Sequence, residues 1–156
     1  MDLAAPPSLL PDSLRLRRHL HVGGQWTPPA DAGLIDVENP STGELIGQVP
    51  AGTAADVDRA VAAARAAFPG WSAATPAERS AHLDRLHAAL TARADDLART
   101  IAVELGSPLK LATRVQVGLP LTVLRDHVAL AARSPVEESI GNSLVVREPI
   151  GVVGAI

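Results

Sequence analysis

Hydrophobic and polar residues alternate with a period of two in several short runs over the first fifty residues, and turn residues separate these runs. Such alternation is typical of β-strands whose two faces lie in different surroundings. It predicts strands over residues 19–22, 25–26, 34–38 and 44–50. Gly23 and Gly24 predict a turn between the first two, and the sequence NPSTG predicts a turn before the last. The domain is therefore expected to open with short β-strands.

At Thr53 the hydrophobic period changes to 3.6 residues, which is the period of an α-helix. Thr53 followed three residues later by Asp56 is typical of a helix N-terminus, where each side chain can bond the other's backbone N–H. The apolar positions that follow on one helical face are Val57, Ala60, Val61, Ala64 and Phe68. Pro69 and Gly70 predict the end of this amphipathic helix.

A second helix is predicted from the sequence TPAE, in which Thr75 can cap the helix and Glu78 can reach back to the Thr75 amide. Its leucine-rich stripe continues to Gly106, with a break predicted within residues 93–96, and Gly106 predicts a left-handed cap. A third helical segment is predicted up to about residue 133. Pro120 should kink it, because proline removes a backbone donor.

The period returns to two after Pro135, where VEESI and SLVVRE flank Gly141 and Asn142. This pattern predicts a tight hairpin over residues 136–148. The final IGVVGAI is apolar on both faces, which is typical of a central parallel strand covered by helices. Because the strands beside it would have to come from elsewhere, we expect the sequence to be part of a longer protein.

The composition is that of one globular domain, with 156 residues of which 47% are hydrophobic. Fourteen basic and 17 acidic residues are spread along the chain. No nucleic-acid or membrane partner is therefore expected. Apolar runs fall short of the roughly 20 residues that span a bilayer. Asp2 and Asp12 argue against a secretory or transit peptide, so a cytoplasmic location is expected.

Candidate chemistry is sparse, and the absence of cysteine excludes disulfides, thiolate metal sites and a cysteine nucleophile within this chain. Gly151 and Gly154 do not complete a dinucleotide-binding G-x-G-x-x-G pattern. His82 and His87 lie five positions apart instead of four and are interpreted as surface histidines, not zinc ligands. Glu104 precedes a helix C-terminus, where the dipole disfavours its charge, and either a cation or solvent could compensate. No catalytic constellation or metal site can be assembled from these residues.

Five stretches carry a resemblance to a known family: VGGQW, ENPSTGELIGQVPAGTAADVDRAVAAARAAFPGW, PAERSAHLDRL, RADDLARTIAVELGSPL and GNSLVVREPIGVVGAI. In this order, from about His19 to Ile156, they resemble the N-terminal part of the NAD(P)-dependent aldehyde dehydrogenase superfamily. The resemblance implies an α/β fold, namely the N-terminal part of a Rossmann-like cofactor-binding domain with an oligomerisation β-hairpin and an incomplete sheet.

The same resemblance implies a division of the chain. Residues 18–134 would form the first strands and helices of the cofactor-binding domain. They follow residues 1–17, whose content of proline, alanine and serine predicts a flexible arm. Residues 135–149 would form the oligomerisation hairpin of a homo-oligomer, with residues 136–148 as its body. Residues 150–156 would begin the first strand of the nucleotide-binding core.

The family's reaction oxidises an aldehyde to a carboxylic acid with NAD or NADP, through a cysteine thiohemiacetal and thioester. The resemblance places no catalytic residue within these 156 positions, so the chain alone is expected to be inactive. It implies that Ile156 packs against the adenosine half of the cofactor, and that Gln116, Leu119 and Val123 line the aldehyde tunnel. For those three residues an ordinary helix-packing role is an equal alternative. Glu104 matches a position that can bind a structural monovalent cation.

A second interpretation belongs to a different functional class. The chain could be a genuine short protein without catalytic activity, which pairs through its hairpin with full-length subunits. An exposed hairpin and an uncovered apolar strand favour association of this kind. The two interpretations differ in whether the polypeptide continues beyond Ile156.

Overall fold

The computed structural model describes residues 18–31 and 33–155. The arm expected over residues 1–17 and the proposed cofactor residue Ile156 lie outside the described residues. The strands are β1 (Leu20–Val22), β2 (Gln25–Thr27), β3 (Leu34–Glu38), β4 (Leu45–Pro50), β5 (Glu137–Ile140) and β6 (Ser143–Val146). The helices are α1 (Ala54–Ser72), α2 (Pro76–Thr91), α3 (Ala94–Leu105), α4 (Leu109–Leu111), a π-helical segment (Ala112–Val117) and α5 (Gly118–Arg133).

The six strands pair as three separate antiparallel hairpins within the described residues, β1 with β2, β3 with β4 and β5 with β6. Gly23 and Gly24 form the first turn, and both have positive φ, which glycine adopts without strain. Gly141 and Asn142 connect β5 to β6, as predicted for a tight hairpin. Strand pairing here stays local, since each strand bonds its neighbour in sequence.

The predicted helix boundaries at Thr53, Thr75 and Gly106 are confirmed. Thr53 and Asp56 form a reciprocal capping box, and Thr75 and Glu78 form a second one. Gly106 ends α3 with φ 74° in the left-handed region. The break predicted near residues 93–96 is present but lies slightly earlier, at residues 92–93. These features depend on contacts within three residues, so the local sequence determines them.

The predicted end of the first helix is wrong, since α1 continues through Pro69 to Ser72. Pro69 has no N–H, so the helix loses one backbone hydrogen bond there. The Pro69 carbonyl nevertheless accepts from Ala73 N at 3.2 Å and from Ser72 Oγ at 3.0 Å. Because the proline lies in the last turn, these bonds are enough to keep that turn helical.

The apolar face predicted for α1 is largely uncovered by the described residues. Val57 is 60% exposed and Phe68 is half-buried, whereas the buried residue of this helix is Asp56. Among the described elements, α1 packs most closely with β1. A strand of three residues is too short to cover a helix of 19 residues.

The core lies where α3 packs against the π-helical segment and α5. Ala98, Ala112 and Val117 form its buried cluster, with Leu97 and Leu121 packed partly against it. The small alanine side chains let the helices approach closely, and the neighbouring α2 packs along α5. None of the helices within residues 18–31 and 33–155 is long and apolar enough to cross a bilayer.

The kink predicted at Pro120 takes the form of a wider helical turn upstream. Gly118 N–H donates to the Thr113 carbonyl, five residues earlier, which is the π-helical pattern. A Cβ atom at Gly118 would lie 3.1 Å from that carbonyl oxygen, so glycine suits the tight passage. Pro120 has no N–H and cannot donate to the carbonyl of Gln116. The widened π-helical turn accommodates this missing backbone hydrogen bond.

Residues 150–155 have no regular secondary structure, although the sequence predicts a strand over residues 150–156. Ile150 is 95% exposed and Val153 is 74% exposed. A strand needs a neighbour to satisfy its backbone N–H and C=O groups, and no other strand of the described residues pairs with this segment. The strand therefore stays a prediction.

Candidate functional site

Two of the three predicted tunnel residues lie on the outward face of α5, where exposed apolar side chains surround the exposed Asp126. Leu119 and Val123 are 56% and 44% exposed, and Leu130 continues their row at 51%. Helical spacing places the three on one face. The opposite face of α5 lies toward α2, where Ser80 Oγ donates to the Val128 carbonyl at 2.8 Å. The structure thus presents Leu119 and Val123 together as a surface that a further segment or an apolar ligand could cover.

Gln116 is oriented differently from these two residues. It lies in the π-helical segment, and its side-chain Oε1 is buried without a hydrogen-bond partner among the described residues. A buried acceptor left without a donor is destabilising, so this oxygen calls for a donor such as a water molecule or a further segment. Gln116 therefore does not share the exposed surface of Leu119 and Val123.

Asp56 is the buried charged residue of the described chain, with 4% of its surface exposed. Its carboxylate accepts from Thr53 N at 2.9 Å, from Thr53 Oγ1 at 2.8 Å and from Ala30 N at 2.9 Å. Arg59 forms an ion pair with it and also donates to the Pro28 carbonyl at 3.0 Å. The bond from the Thr53 amide, helped by the other donors, holds the pKa of Asp56 well below its usual value.

This carboxylate joins the loop before β3 to the N-terminus of α1, which the sequence pattern did not reveal. The capping box predicted the bonds to Thr53, because they lie three residues apart. Ala30 is 26 residues from Asp56 in sequence, so no local signal points to that bond. The buried network has a structural role, since every described contact of the carboxylate is used to hold backbone or a neighbouring side chain.

Glu104 lies at the end of α3 beside the β3–β4 hairpin. A cavity of about 150 Å³ separates the two, and its lining includes Val37, Gly47, Thr100 and Glu104. Among the described residues, no group of three or more His, Cys, Asp or Glu side chains is arranged to hold a metal ion. The monovalent-cation role of Glu104 stays a prediction.

A larger cleft of about 590 Å³ lies between the α1–α2 corner and the base of the β5–β6 hairpin. Phe68, Arg79 and Val136 line it together with Arg147, whose guanidinium forms an ion pair with Glu138 at 2.9 Å. Sequence reasoning missed this cleft, because its walls come from segments more than fifty residues apart. Its apolar walls and arginines can contact a further protein segment.

Neither a thiol nor a free N-terminus of α1 or α2 is available among the described residues. The sequence contains no cysteine, and the N-termini of α1 and α2 are closed by the carboxylates of Asp56 and Glu78. Phosphate groups bind helix N-termini through free backbone N–H groups, which a capping carboxylate both occupies and repels. These two helices therefore do not fit the pyrophosphate of a dinucleotide.

Residues 26–156 match the profile of the aldehyde dehydrogenase family. Among curated proteins, a 3-succinoylsemialdehyde-pyridine dehydrogenase from a Pseudomonas species is 36% identical, over 92% of this chain and 30% of that protein. A geranial dehydrogenase from Castellaniella defragrans is 37% identical, over 89% of this chain and 30% of that protein. The chain thus spans about 30% of the length of the curated relatives that it matches.

Solved structures are similar to this chain in backbone fold as well as in sequence. A mutant of aldehyde dehydrogenase C from Pseudomonas syringae, in complex with NAD+ and octanal, matches with a TM-score of 0.82 and 38% identity, over 85% of this chain and 27% of that chain. An aldehyde dehydrogenase from Mycobacterium tuberculosis in complex with NAD+ matches with a TM-score of 0.81 and 34% identity, over 87% of this chain and 29% of that chain.

Proposed function

Since the chain belongs to the aldehyde dehydrogenase family, we propose that it forms the N-terminal part of an enzyme that oxidises an aldehyde to a carboxylic acid with NAD or NADP. The supporting observation is that the family match covers residues 26–156, nearly the whole of the described chain. The relatives that it matches are about three times as long. The expected chemistry passes through a cysteine thiohemiacetal and thioester, with the nicotinamide as hydride acceptor.

In this proposal the 156 residues supply structure and not catalysis. The chain has no thiol to attack an aldehyde carbon, and the capping carboxylates at the N-termini of α1 and α2 disfavour cofactor phosphates there. The remaining part of such an enzyme would cover the apolar faces of α1 and α5 and would supply a partner strand for residues 150–156. Ile156 would then reach the adenosine half of the cofactor.

A chimera tests this proposal. The chain is joined to the C-terminal portion of the geranial dehydrogenase in place of that protein's own matching segment, and aldehyde-dependent formation of reduced cofactor is followed by absorbance. We expect activity from the chimera, none from the 156-residue chain, and none from a chimera whose nucleophilic cysteine is replaced by alanine. Turnover by the isolated chain would overturn the proposal, as would a folded but inactive chimera.

We also propose that Leu119 and Val123 line the aldehyde tunnel and that Gln116 supports its wall. The exposed apolar surface of Leu119 and Val123 supports this role. In the chimera, Leu119→Trp should raise KM for a long-chain aldehyde more than for a two-carbon aldehyde. Arg125→Gln, on another face of α5, serves as the control. Equal changes in KM for both aldehydes would indicate ordinary helix packing.

The β5–β6 hairpin is proposed as the subunit contact of a homo-oligomer. Leu144 and Val146 alternate to the same face of β6 and are 62% and 48% exposed, so this face of the hairpin offers an apolar contact surface. In the chimera, Leu144→Arg should shift the mass measured by light scattering toward the monomer. Ala89→Arg, on the exposed surface of α2, should not. An unchanged mass for Leu144→Arg would rule out this contact.

A further inference from the structure

The corner between α1 and α2 contains an aromatic contact that the proposed function does not use. The rings of Trp71 and His82 lie 5.4 Å apart between centroids and meet edge to face at 72°. Both side chains line a cleft of about 560 Å³. Ala73 and Ala74, in the linker between the helices, line this cleft and also the cleft at the base of the hairpin. The linker between the two helices therefore borders both clefts.

The His82 ring has a second side-chain partner on its own helix. The Arg85 guanidinium lies 2.8 Å from His82 Nδ1. Because a guanidinium can only donate hydrogen bonds, this contact requires Nδ1 to be the acceptor.

An opposite charge lies one helical turn away on the other side. The carboxylate of Glu78 accepts from Thr75 N at 2.7 Å and from Thr75 Oγ1 at 2.8 Å. The bond from the Thr75 backbone, followed by that from its hydroxyl, lowers the pKa of Glu78, so this group stays negative at neutral pH. From α1 the cleft is lined by Ala67, Gly70 and Trp71, none of which titrates. Within the described lining of this cleft, Glu78 is therefore the charged group that faces His82, and Arg85 contacts the ring from its own helix.

We propose that His82 acts as a proton-controlled switch at the α1–α2 corner, which exchanges Arg85 for Glu78 as its side-chain partner when the imidazole becomes charged. A charged imidazole carries a proton on both nitrogens, so Nδ1 can no longer accept from Arg85. The like charges then repel, whereas the Glu78 carboxylate and the face of the Trp71 ring both attract a cation. Protonation thus turns the ring within the cleft and draws it toward the N-terminus of α2.

Proton NMR on the unmodified chain tests the exchange directly. Nuclear Overhauser contacts of the His82 ring protons are compared between about pH 5 and pH 8, the range over which an imidazole changes charge. We expect contacts to the Arg85 side chain at the higher pH and to the Glu78 side chain at the lower pH. The same set of contacts at both pH values would overturn the proposal.

Fluorescence provides a second measurement with an internal comparison. Trp26→Phe leaves Trp71 as the reporting indole, and its emission should fall as His82 gains a proton. Adding His82→Gln should abolish this pH dependence. The control adds His21→Gln instead, at a histidine whose ring lies 5.1 Å from Trp26 in the original chain, and should leave the pH dependence of the Trp71 emission unchanged. A pH dependence that survives His82→Gln would show that another group causes it and would refute the switch.

Discussion

Gly106 ends α3 and packs against the turn between β3 and β4. Its replacement by alanine gives a quantitative test of this packing. Gly106 has φ +74°, and a Cβ atom there would lie 2.9 Å from Pro40 Cγ and 3.2 Å from Ser41 Oγ. The new methyl group would therefore meet two penalties, one from the backbone conformation and one from the Pro40 ring. Gly43 has a similar φ of +71°, but a methyl group there would meet nothing within 4 Å, so Gly43→Ala carries the first penalty alone.

The two penalties have different magnitudes. A left-handed conformation costs a residue with a Cβ atom about 1–2 kcal/mol, and forced overpacking costs about 1–3 kcal/mol more. Gly106→Ala should thus lower the free energy of unfolding by about 2–5 kcal/mol, out of the roughly 5–15 kcal/mol available to a domain. Gly43→Ala should lower it by about 1–2 kcal/mol.

Urea denaturation followed by circular dichroism measures the difference. With an m value of about 2 kcal/mol/M, Gly106→Ala should move the midpoint down by about 1–2.5 M and Gly43→Ala by about 0.5–1 M. Equal midpoints for the two variants, at unchanged m, would show that the Pro40 turn is not docked on Gly106. That result would refute the described packing of the β3–β4 hairpin on α3.

Three further predictions concern the pH response, the core and a helix cap. The pKa of Asp56 is lowered in the folded state. The carboxylate therefore stabilises the fold above its unfolded pKa of about 3.9, and this stabilisation is lost as the pH falls from that value toward the folded pKa. Asp56→Asn should reduce the loss of stability that urea titrations measure between about pH 5 and pH 2. Ala112→Leu places a larger side chain at a fully buried position and should lower the free energy of unfolding by about 1–3 kcal/mol, measured by urea denaturation. Thr75→Ala removes the hydroxyl that caps α2 and should lower it by about 0.5–2 kcal/mol, measured in the same way.

Each of these has a matched control. Asp58→Asn, at an exposed position of α1, should keep the acid loss of stability. Ala129→Leu, on the exposed side of α5, should change the free energy of unfolding by about 0.5 kcal/mol or less. Thr75→Ser keeps a capping oxygen and should stay close to the original chain. If a control changes the free energy of unfolding, or its pH dependence, as much as its test variant does, then the burial or the cap does not cause the change.

The sequence predicted well those features that depend on neighbours along the chain. The caps at Thr53, Thr75 and Gly106 follow from bonds or backbone angles within a few residues, and the structure has all three. The family resemblance was also visible in the sequence, because its motifs lie in linear order. The arrangement of the candidate site was harder to predict from the sequence. Leu119 and Val123 share an exposed surface, while the side-chain oxygen of Gln116 is buried away from it.

The sequence by itself determined the order of strands and helices and the family, because alternation, capping and turn residues act over short distances. Tertiary structure decided which apolar faces are covered. The α1 stripe around Val57 had every local sign of a core face and is exposed, since burial depends on what packs against it. The bond from Ala30 to Asp56 and the cleft that brings Arg79 beside Arg147 likewise arise only when distant segments meet. In residues 150–155 the sequence favours a strand, but tertiary structure decides whether the strand forms. Its backbone groups can pair only when a second strand lies beside it.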